Sequence, residues 1–464
     1  MKVALIQLPH FYGAGYSRPP TSYPLGLGYL AAVLKRRGIE FSGVNLWEKG
    51  LGAAEAAEAE DLSSFDFLCV SAYSTQYKYF KEYAALLKKK YPGKPLICGG
   101  AGPTFSARTF LEKNPVDVCV IGEAEETLPD LLLNYSARSG VAGIAYLEGG
   151  KTVFTAARQP IRDLDSLPLP DRGIFSQREV MRNAERLRCG SPDGPRRSAD
   201  IIAGRGCPYR CTFCSKTFSG LRLRGVDAIL AEAEGLIRDF GANHLQFNDE
   251  LVIISRQRTL QLCAGLKRLG VQWSCQGRIN HVDEEILRAL KDAGCVEIGY
   301  GVESVSQEIL DGMKKQVRSE DIVPVIEMTR RAGLVPVIQY MYGFPGENDE
   351  TIENTFRFFK RLDLPFVGST TTPLPGSQLY SDCLQSGKIR DEEDYLLRLD
   401  SGYNLLGGCV NLTAFTDEEF RRKQRRLQIR ITHEYLKKRP LEYARFLAAT
   451  AARKLKGAAK RMRG

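Results

Sequence analysis

Cys207, Cys211 and Cys214 follow C-x3-C-x2-C spacing within Gly204-Arg-Gly-Cys-Pro-Tyr-Arg-Cys-Thr-Phe-Cys214. Three thiolates on one tight loop can hold three irons of a cubic iron–sulfur cluster and leave the fourth open. An open iron can take a small-molecule ligand, so the spacing points to chemistry and away from simple electron storage. The alternative is a structural zinc site, which as a rule needs four ligands. No fourth Cys or His follows at finger-like spacing, the nearest downstream histidine being His244.

Such a loop needs a frame, and the sequence supplies one on its C-terminal side. From Ala199 strand-like and helix-like segments alternate, and the cysteines lie just after the first strand. Further strands are expected at His244–Asn248, Gln272–Gln276, Val296–Gly301, Val335–Tyr342 and Phe366–Thr371, separated by helices of ordinary length. Six β/α units fit a partial TIM-type barrel, whose chemistry sits at the carboxyl ends of its strands. Those ends carry Phe247-Asn-Asp-Glu250, Gln276-Gly-Arg278, Gly301-Val-Glu-Ser304, Met341-Tyr-Gly-Phe-Pro-Gly-Glu347 and Thr372-Pro-Leu-Pro-Gly-Ser377. The alternative for Asp249, Glu250 and Glu303 is a helix cap or a surface carboxylate. Arg278 could equally serve a structural ion pair.

On the N-terminal side a second alternation covers about the first 137 residues. Strands are expected at Val3–Leu8, Phe41–Leu46, Phe67–Ala72, Pro95–Cys98 and Val116–Ile121, with helices between them. This reads as a doubly wound, Rossmann-like α/β domain, which binds ligands at its strand carboxyl ends. The loops there are Pro24-Leu-Gly-Leu-Gly-Tyr-Leu30, Ser71-Ala-Tyr-Ser-Thr75, Gly99-Gly-Ala-Gly-Pro-Thr104 and Gly122-Glu-Ala-Glu-Glu-Thr127. Glycines let backbone approach a bulky ligand closely, although a tight turn needs the same residues. Between the domains lies a connector with a hairpin around Glu148-Gly-Gly150 and a proline-punctuated Arg162–Asp171. The expected division is 1–140, 141–198, 199–390 and a helical basic region, 391–464.

The cysteine loop, with Phe213 before the last cysteine, resembles the signature of radical S-adenosylmethionine (SAM) enzymes. The ordered glycine loops of the first 140 residues resemble the cobalamin-binding domain found in front of many of them. Together the resemblance covers about residues 1–390 and identifies the chain with the cobalamin-dependent radical SAM family. It implies a [4Fe–4S] cluster on Cys207, Cys211 and Cys214 whose open iron chelates SAM and cleaves it to a 5′-deoxyadenosyl radical. It implies SAM contacts at Phe213, Asp249, Glu250, Arg278, Glu303, Ser304 and Gly343, and a corrinoid near Ser71, Thr75, Gly99, Gly100 and Gly122. The activity implied is methyl transfer to an unactivated carbon of a small molecule. Radical dehydration, cyclisation or ring rearrangement is the alternative. One departure is the absence of Asp-x-His-x-x-Gly, which supplies a histidine to cobalt in cobalamin mutases. His10 lies in the first loop, but its neighbours do not match that motif. The family also implies a reducing partner such as flavodoxin or ferredoxin.

Composition narrows the rest. The formal charge of +10 resides in the tail, where 416–464 carry sixteen Lys or Arg against five Asp or Glu. The remainder is near neutral, so no nucleic-acid partner is expected. No apolar run reaches the roughly 18 residues of a membrane span, and Met1–Leu8 enters a strand directly, without a signal peptide's cleavage site. Scattered single cysteines outside the loop fit the reducing cytoplasm. Thr416 can cap a helix carrying Arg421–Arg426. Its basic face reads as solvated, with peripheral contact to an anionic membrane as the sharper idea.

Overall fold

The computed structural model describes residues 1–10, 20–187, 196–366, 368–399 and 410–441. Cys189, Cys409 and the whole of the basic tail beyond Leu441 lie outside them.

Seven strands form the first sheet: β1 (Lys2–Gln7), β2 (Glu40–Asn45), β3 (Phe67–Ser71), β4 (Leu96–Gly99), β5 (Val118–Val120), β6 (Ile144–Glu148) and β7 (Lys151–Phe154). Their order is β2-β1-β3-β4-β5-β6-β7. The first five are parallel and the last two antiparallel. The inner parallel strands β1, β3, β4 and β5 are largely apolar on both faces because helices cover both sides. The chain leaves β1 to one side and returns on the other, so a crevice opens at the carboxyl ends of β1 and β3. The hairpin assigned above to the connector extends this sheet, because β6 pairs with β5 through Val118↔Tyr146. We therefore draw the first domain to Phe154. The short helix Ala53–Ala59 has no counterpart in the sequence reading.

The second sheet begins with β8 (Ser198–Ile201). A small antiparallel ribbon, β9 (Gly204–Arg205) with β10 (Arg222–Leu223), brackets the cysteine loop. Then follow β11 (His244–Phe247), β12 (Gln272–Gly277), β13 (Cys295–Glu303), β14 (Val335–Tyr342) and β15 (Gly368–Thr370). The sheet order is β15-β14-β13-β12-β11-β8, a sequential parallel ladder curled into an open half-barrel. Side chains alternate with the strand period of two. Ala199, Leu245, Phe247, Trp273, Ile298 and Tyr340 pack under the outer helices. The other face is polar, with His244 joined to Ser198 Oγ at 2.8 Å and Ser274 Oγ at 2.9 Å.

One apolar core is common to both halves. Phe80 and Phe110 of the first domain share it with Met313, Phe344, Leu379 and Tyr395 of the second. Glu392 seals the seam, accepting from Ser106 Oγ at 2.9 Å and Tyr380 Oη at 2.8 Å.

The helix Asp417–Lys437 starts with the expected cap, Thr416 Oγ1 accepting from Glu419 N–H. It is less free than its charge implies. Arg430 pairs with Glu353 at 2.7 Å and Arg439 with Asp363 at 3.0 Å, both on or beside the barrel helix Asp349–Leu362. Arg421, Arg422, Arg425 and Arg426 remain exposed. Among the described residues no helix is long and apolar enough to cross a membrane.

Candidate active site

The cysteine loop is fixed by backbone bonds at both ends. At its base Asp249, just beyond β11, accepts from Ala203 N–H with both carboxylate oxygens, at 2.8 and 2.9 Å. Gly206 takes φ +82°, and a Cβ there would lie 1.9 Å from the Gly220 carbonyl oxygen, so no other residue fits. Farther along, Thr212 N–H donates to Met313 O at 3.0 Å, Leu379 N–H to Thr212 O at 2.8 Å, and Ser215 Oγ to Pro375 O at 2.6 Å. The loop thus spans β8 and the elements after β13 and β15.

Cys207, Cys211 and Cys214 are half-buried free thiols. Burial pushes the Cys214 thiol up to about 11, with Cys211 and Cys207 adding to the rise. The three sulfurs therefore feel one another as prospective anions, which a bound cation cluster would relieve. Among the described residues no three His, Cys, Asp or Glu side chains converge as they would on a single metal ion. A cuboidal cluster takes one thiolate per iron, so its ligands need not meet at one point.

The strand ends expected to hold SAM arrive at this loop, with different tasks. Asp249 is buried under the loop's backbone, and burial raises its carboxyl to about 7. Its neighbour Glu250 is exposed to the recess and accepts from Gly206 N–H at 3.2 Å. Arg278, expected as a donor to SAM or substrate, is engaged otherwise. Its guanidinium lies 3.5 Å from the Tyr209 ring centroid, above the cysteine loop, and donates to Lys315 O. Stacking and a buried acceptor together hold it there. Glu303 sits at a register shift in β13 with φ +63° and pairs with Lys315 Nζ at 3.1 Å, both side chains nearly buried. Lys315 Nζ also lies 5.7 Å from the Phe213 ring centroid. Ser304 is buried and its Oγ accepts from Ser306 N–H at 3.1 Å. Gly343, φ +76°, gives its N–H to Glu347 at 2.9 Å, and burial raises the Glu347 carboxyl to about 7.

Across from this cluster of loops, the crevice of the first sheet opens into a cavity of ≈ 240 Å³. Its floor is apolar, formed by Leu5, Cys69, Ile97, Val120 and Leu128, and its rim carries Ser71, Gly99, Gly100 and Gly122. A Cβ on Gly122 would meet nothing within 4 Å, and one on Gly99 only Val120 at 3.6 Å. Both are bare toward open space, the clearance that the broad face of a corrinoid needs, although Gly122 at φ +75° is also favoured as glycine by its backbone. Gly100 has another reason, since at φ +100° its Cβ would press to 2.8 Å from Ala72 O. Thr104 ties the glycine loops together, accepting from Gly122 N–H at 3.0 Å and donating to Gly100 O at 2.7 Å. Thr75 lies in a separate short turn, Ser74–Gln76, and lines none of these walls. His10 packs against Trp47 and Tyr73 with ring centroids 4.5 and 5.3 Å apart, and burial lowers its pKa to about 4, so it is neutral.

A second recess of ≈ 490 Å³ adjoins the first, sharing Gly26, Ser71 and Tyr73 with it. Its opposite wall is Gly204, Asn248, Asp249 and Glu250 of the barrel. The loops of the first domain, Gly204–Arg205 leading into the cysteine loop and Phe218 after it therefore border one continuous space. Three contributors escaped the sequence reading. Lys315 stands in a Lys314-Lys315 pair that carries no signal of burial, and Arg205 and Glu125 join across a separation of 80 residues. Only the placement of Arg205 two residues before the first cysteine was a signal.

The sequence model of the radical SAM superfamily matches residues 201–359, and that of the B12 binding domain matches 15–132. An uncharacterized methyltransferase of Pyrococcus horikoshii is 26% identical over 446 residues, 92% of each chain. The anaerobic magnesium-protoporphyrin IX monomethyl ester cyclase of Cereibacter sphaeroides is 27% identical over 85% of this chain and 66% of its own. Among solved structures, the methyltransferase TsrM from Kitasatospora setae with cobalamin and [4Fe–4S] cluster bound superposes with a TM-score of 0.66 at 18% identity, covering 84% of this chain and 79% of that one. The cobalamin-dependent radical enzyme OxsB gives 0.65 at 19% identity, over 89% and 58%. The chain belongs to the radical SAM superfamily, in the group whose barrel follows a B12-binding domain.

Proposed function

We propose that this enzyme transfers a methyl group from SAM to an unactivated carbon of a small molecule, using a [4Fe–4S] cluster and cobalamin. The observation that carries the reading is the shared recess, walled on one side by the corrinoid-domain loops and on the other by the cysteine-loop face of the barrel. When bound, the cluster supplies the electron that cleaves SAM, and the corrinoid supplies the methyl group. The protein's own part is placement. Cys207, Cys211 and Cys214 would ligate the cluster, and Glu250 would receive the SAM amino group, since Asp249 is committed to backbone. The Glu303–Lys315 pair and the Gly343 turn would frame the remainder of SAM. Bare Gly99 and Gly122 make room for the corrinoid, and the neutral His10 is packed between rings. The shared apolar core beside this space keeps bulk water from its flank, which protects a radical from side reactions.

The rival reading is radical chemistry without methylation, supported by the cyclase name of one relative. Turnover with methyl-labelled SAM separates them. Methyl transfer yields S-adenosylhomocysteine and 5′-deoxyadenosine in comparable amounts, with label in the product. Deoxyadenosine without S-adenosylhomocysteine would overturn the proposal. We further propose a cytoplasmic setting and a flavodoxin or ferredoxin as electron donor, in keeping with the free buried thiols. Membrane contact through the tail rests on the basic residues beyond Leu441, since Arg430 and Arg439 serve the barrel, while Arg421, Arg422, Arg425 and Arg426 of the helix stay exposed. Liposome sedimentation with and without 440–464 tests it, and equal pelleting ends the idea.

A further inference from the structure

The seam between the two functional loops holds a buried charge cluster that neither ligand set requires. Arg205 in β9 lies two residues before the first cysteine of the loop. Its two terminal nitrogens each take a carboxylate from the glycine loop after β5, Glu123 at 2.6 Å and Glu125 at 2.5 Å. Arg222 in β10 reaches the second oxygen of Glu123 at 2.7 Å. All four side chains are almost entirely withdrawn from solvent. The Arg205 guanidinium is also flanked by the Tyr29 and Phe218 rings, each 5.3 Å from it. Burial works against ionising Glu123, but Arg222 and Arg205 more than offset it and hold the carboxyl below its usual range.

Two cations and two carboxylates taken out of water are a poor source of net stability, since desolvation consumes most of the attraction. What such a cluster does well is fix geometry. A planar guanidinium accepts two carboxylates only in one plane and at set distances. Here the carboxylates stand on the backbone that rims the corrinoid-side cavity, where Glu123 and Glu125 themselves form part of the wall. The guanidinium stands on the ribbon that carries the cysteine loop, braced at Gly206 against Gly220. A shift of either loop must be met by the other or must break a buried ion pair.

We propose that Arg205, through Glu123 and Glu125, is a positioning residue that couples occupancy of the corrinoid site to order in the cluster loop. Filling either site stiffens the other, so each cofactor raises the affinity for its partner. The inference rests on the cobalamin reading above and adds a linkage between the two sites, which must be reciprocal.

The test is a spectroscopic titration of the full-length chain with hydroxocobalamin, in the cluster-free and the cluster-reconstituted form. The wild type should bind hydroxocobalamin at least about fivefold more tightly when the cluster is present. In Arg205→Gln that ratio should fall to near unity while iron content stays at the wild-type level. Arg205→Lys should keep a partial ratio, because an ammonium cannot span both carboxylates in one plane. Glu125→Gln, a milder change that leaves Arg205 paired with Glu123, should also lower the ratio, and it decides the matter if Arg205→Gln fails to fold. A wild-type ratio of one, or variants that keep the full wild-type ratio, overturns the coupling and leaves the proposed reaction standing. Failure of the wild type to bind hydroxocobalamin in either form overturns the cobalamin reading and the coupling with it.

Discussion

Replacing Asp249 with Asn tests how the cysteine loop is held at its base. In the folded protein burial raises the Asp249 carboxyl to about 7, with the Ala203 and Gly204 N–H groups opposing and Glu250 adding to the rise. In the unfolded chain it titrates near the ordinary value of about 4. At pH values between the two, the folded state holds a proton that the unfolded state has lost. Stability therefore falls as pH rises through this window and levels off above the folded value. The whole window is worth about 4 kcal/mol, and the stretch from about pH 5 upward about 3 kcal/mol. Asn keeps an oxygen for Ala203 N–H and carries no charge to desolvate, but it turns an amide toward a second N–H, a fixed cost of about 1 kcal/mol. For a chain of 464 residues the unfolding entropy is roughly 1 kcal/mol per kelvin, so 3 kcal/mol is about 3 °C in Tm. Thermal melts of both cluster-free proteins should show the variant gaining about 3 °C relative to the wild type between about pH 5 and pH 8. A Tm difference that does not change with pH would refute the buried, late-ionising Asp249.

Ala at Cys207, Cys211 or Cys214 should each abolish the iron and acid-labile sulfide of the reconstituted protein, whereas Ala at Cys263, Cys275 or Cys383, buried and away from the loop, should leave both intact. Gly99→Leu should weaken hydroxocobalamin binding by about tenfold or more with iron content unchanged; Gly100→Leu, at φ +100° against Ala72 O, should lose soluble protein as well. Glu303→Gln should keep the cluster and weaken SAM binding about tenfold in equilibrium dialysis, because Lys315 loses its buried counter-charge; unchanged affinity would remove the pair from the SAM site.

Much of the frame was legible because strand and helix leave different periods, and β1 to β5 and the barrel strands lie within a residue or two of their expected bounds. The hairpin was seen but not its partner, since only the edge of β5 determines where Ile144–Phe154 pairs. Ala53–Ala59 was missed because an alanine–glutamate run after Gly52 has no large apolar residue to mark a period. The spacing of Cys207, Cys211 and Cys214 was readable as local chemistry. The division of labour between Asp249 and Glu250 was not, because adjacent residues at a strand end point to opposite sides. Arg278 could not be placed either, as its choice between a ligand and the Tyr209 ring is made in three dimensions. The arginines of the run Arg421–Arg426 are exposed, as its charge suggests, but nothing in the sequence announces that Arg430 and Arg439 meet Glu353 and Asp363.

The apolar core common to both halves bears on how the chain is made. Phe80 and Phe110 lie in the first quarter of the sequence, while Tyr395 and Leu396, which close over the same core, lie in its last quarter. On a ribosome the N-terminal sheet emerges long before the segment that finishes it. One side of the helices Tyr77–Lys90 and Ala101–Glu112 must then wait uncovered through the synthesis of nearly 300 more residues, at about 5–20 residues per second. Nascent chains of this protein are for that interval clients for a holding chaperone, and a message truncated before Tyr395 would release a sticky product, with no usable half-enzyme.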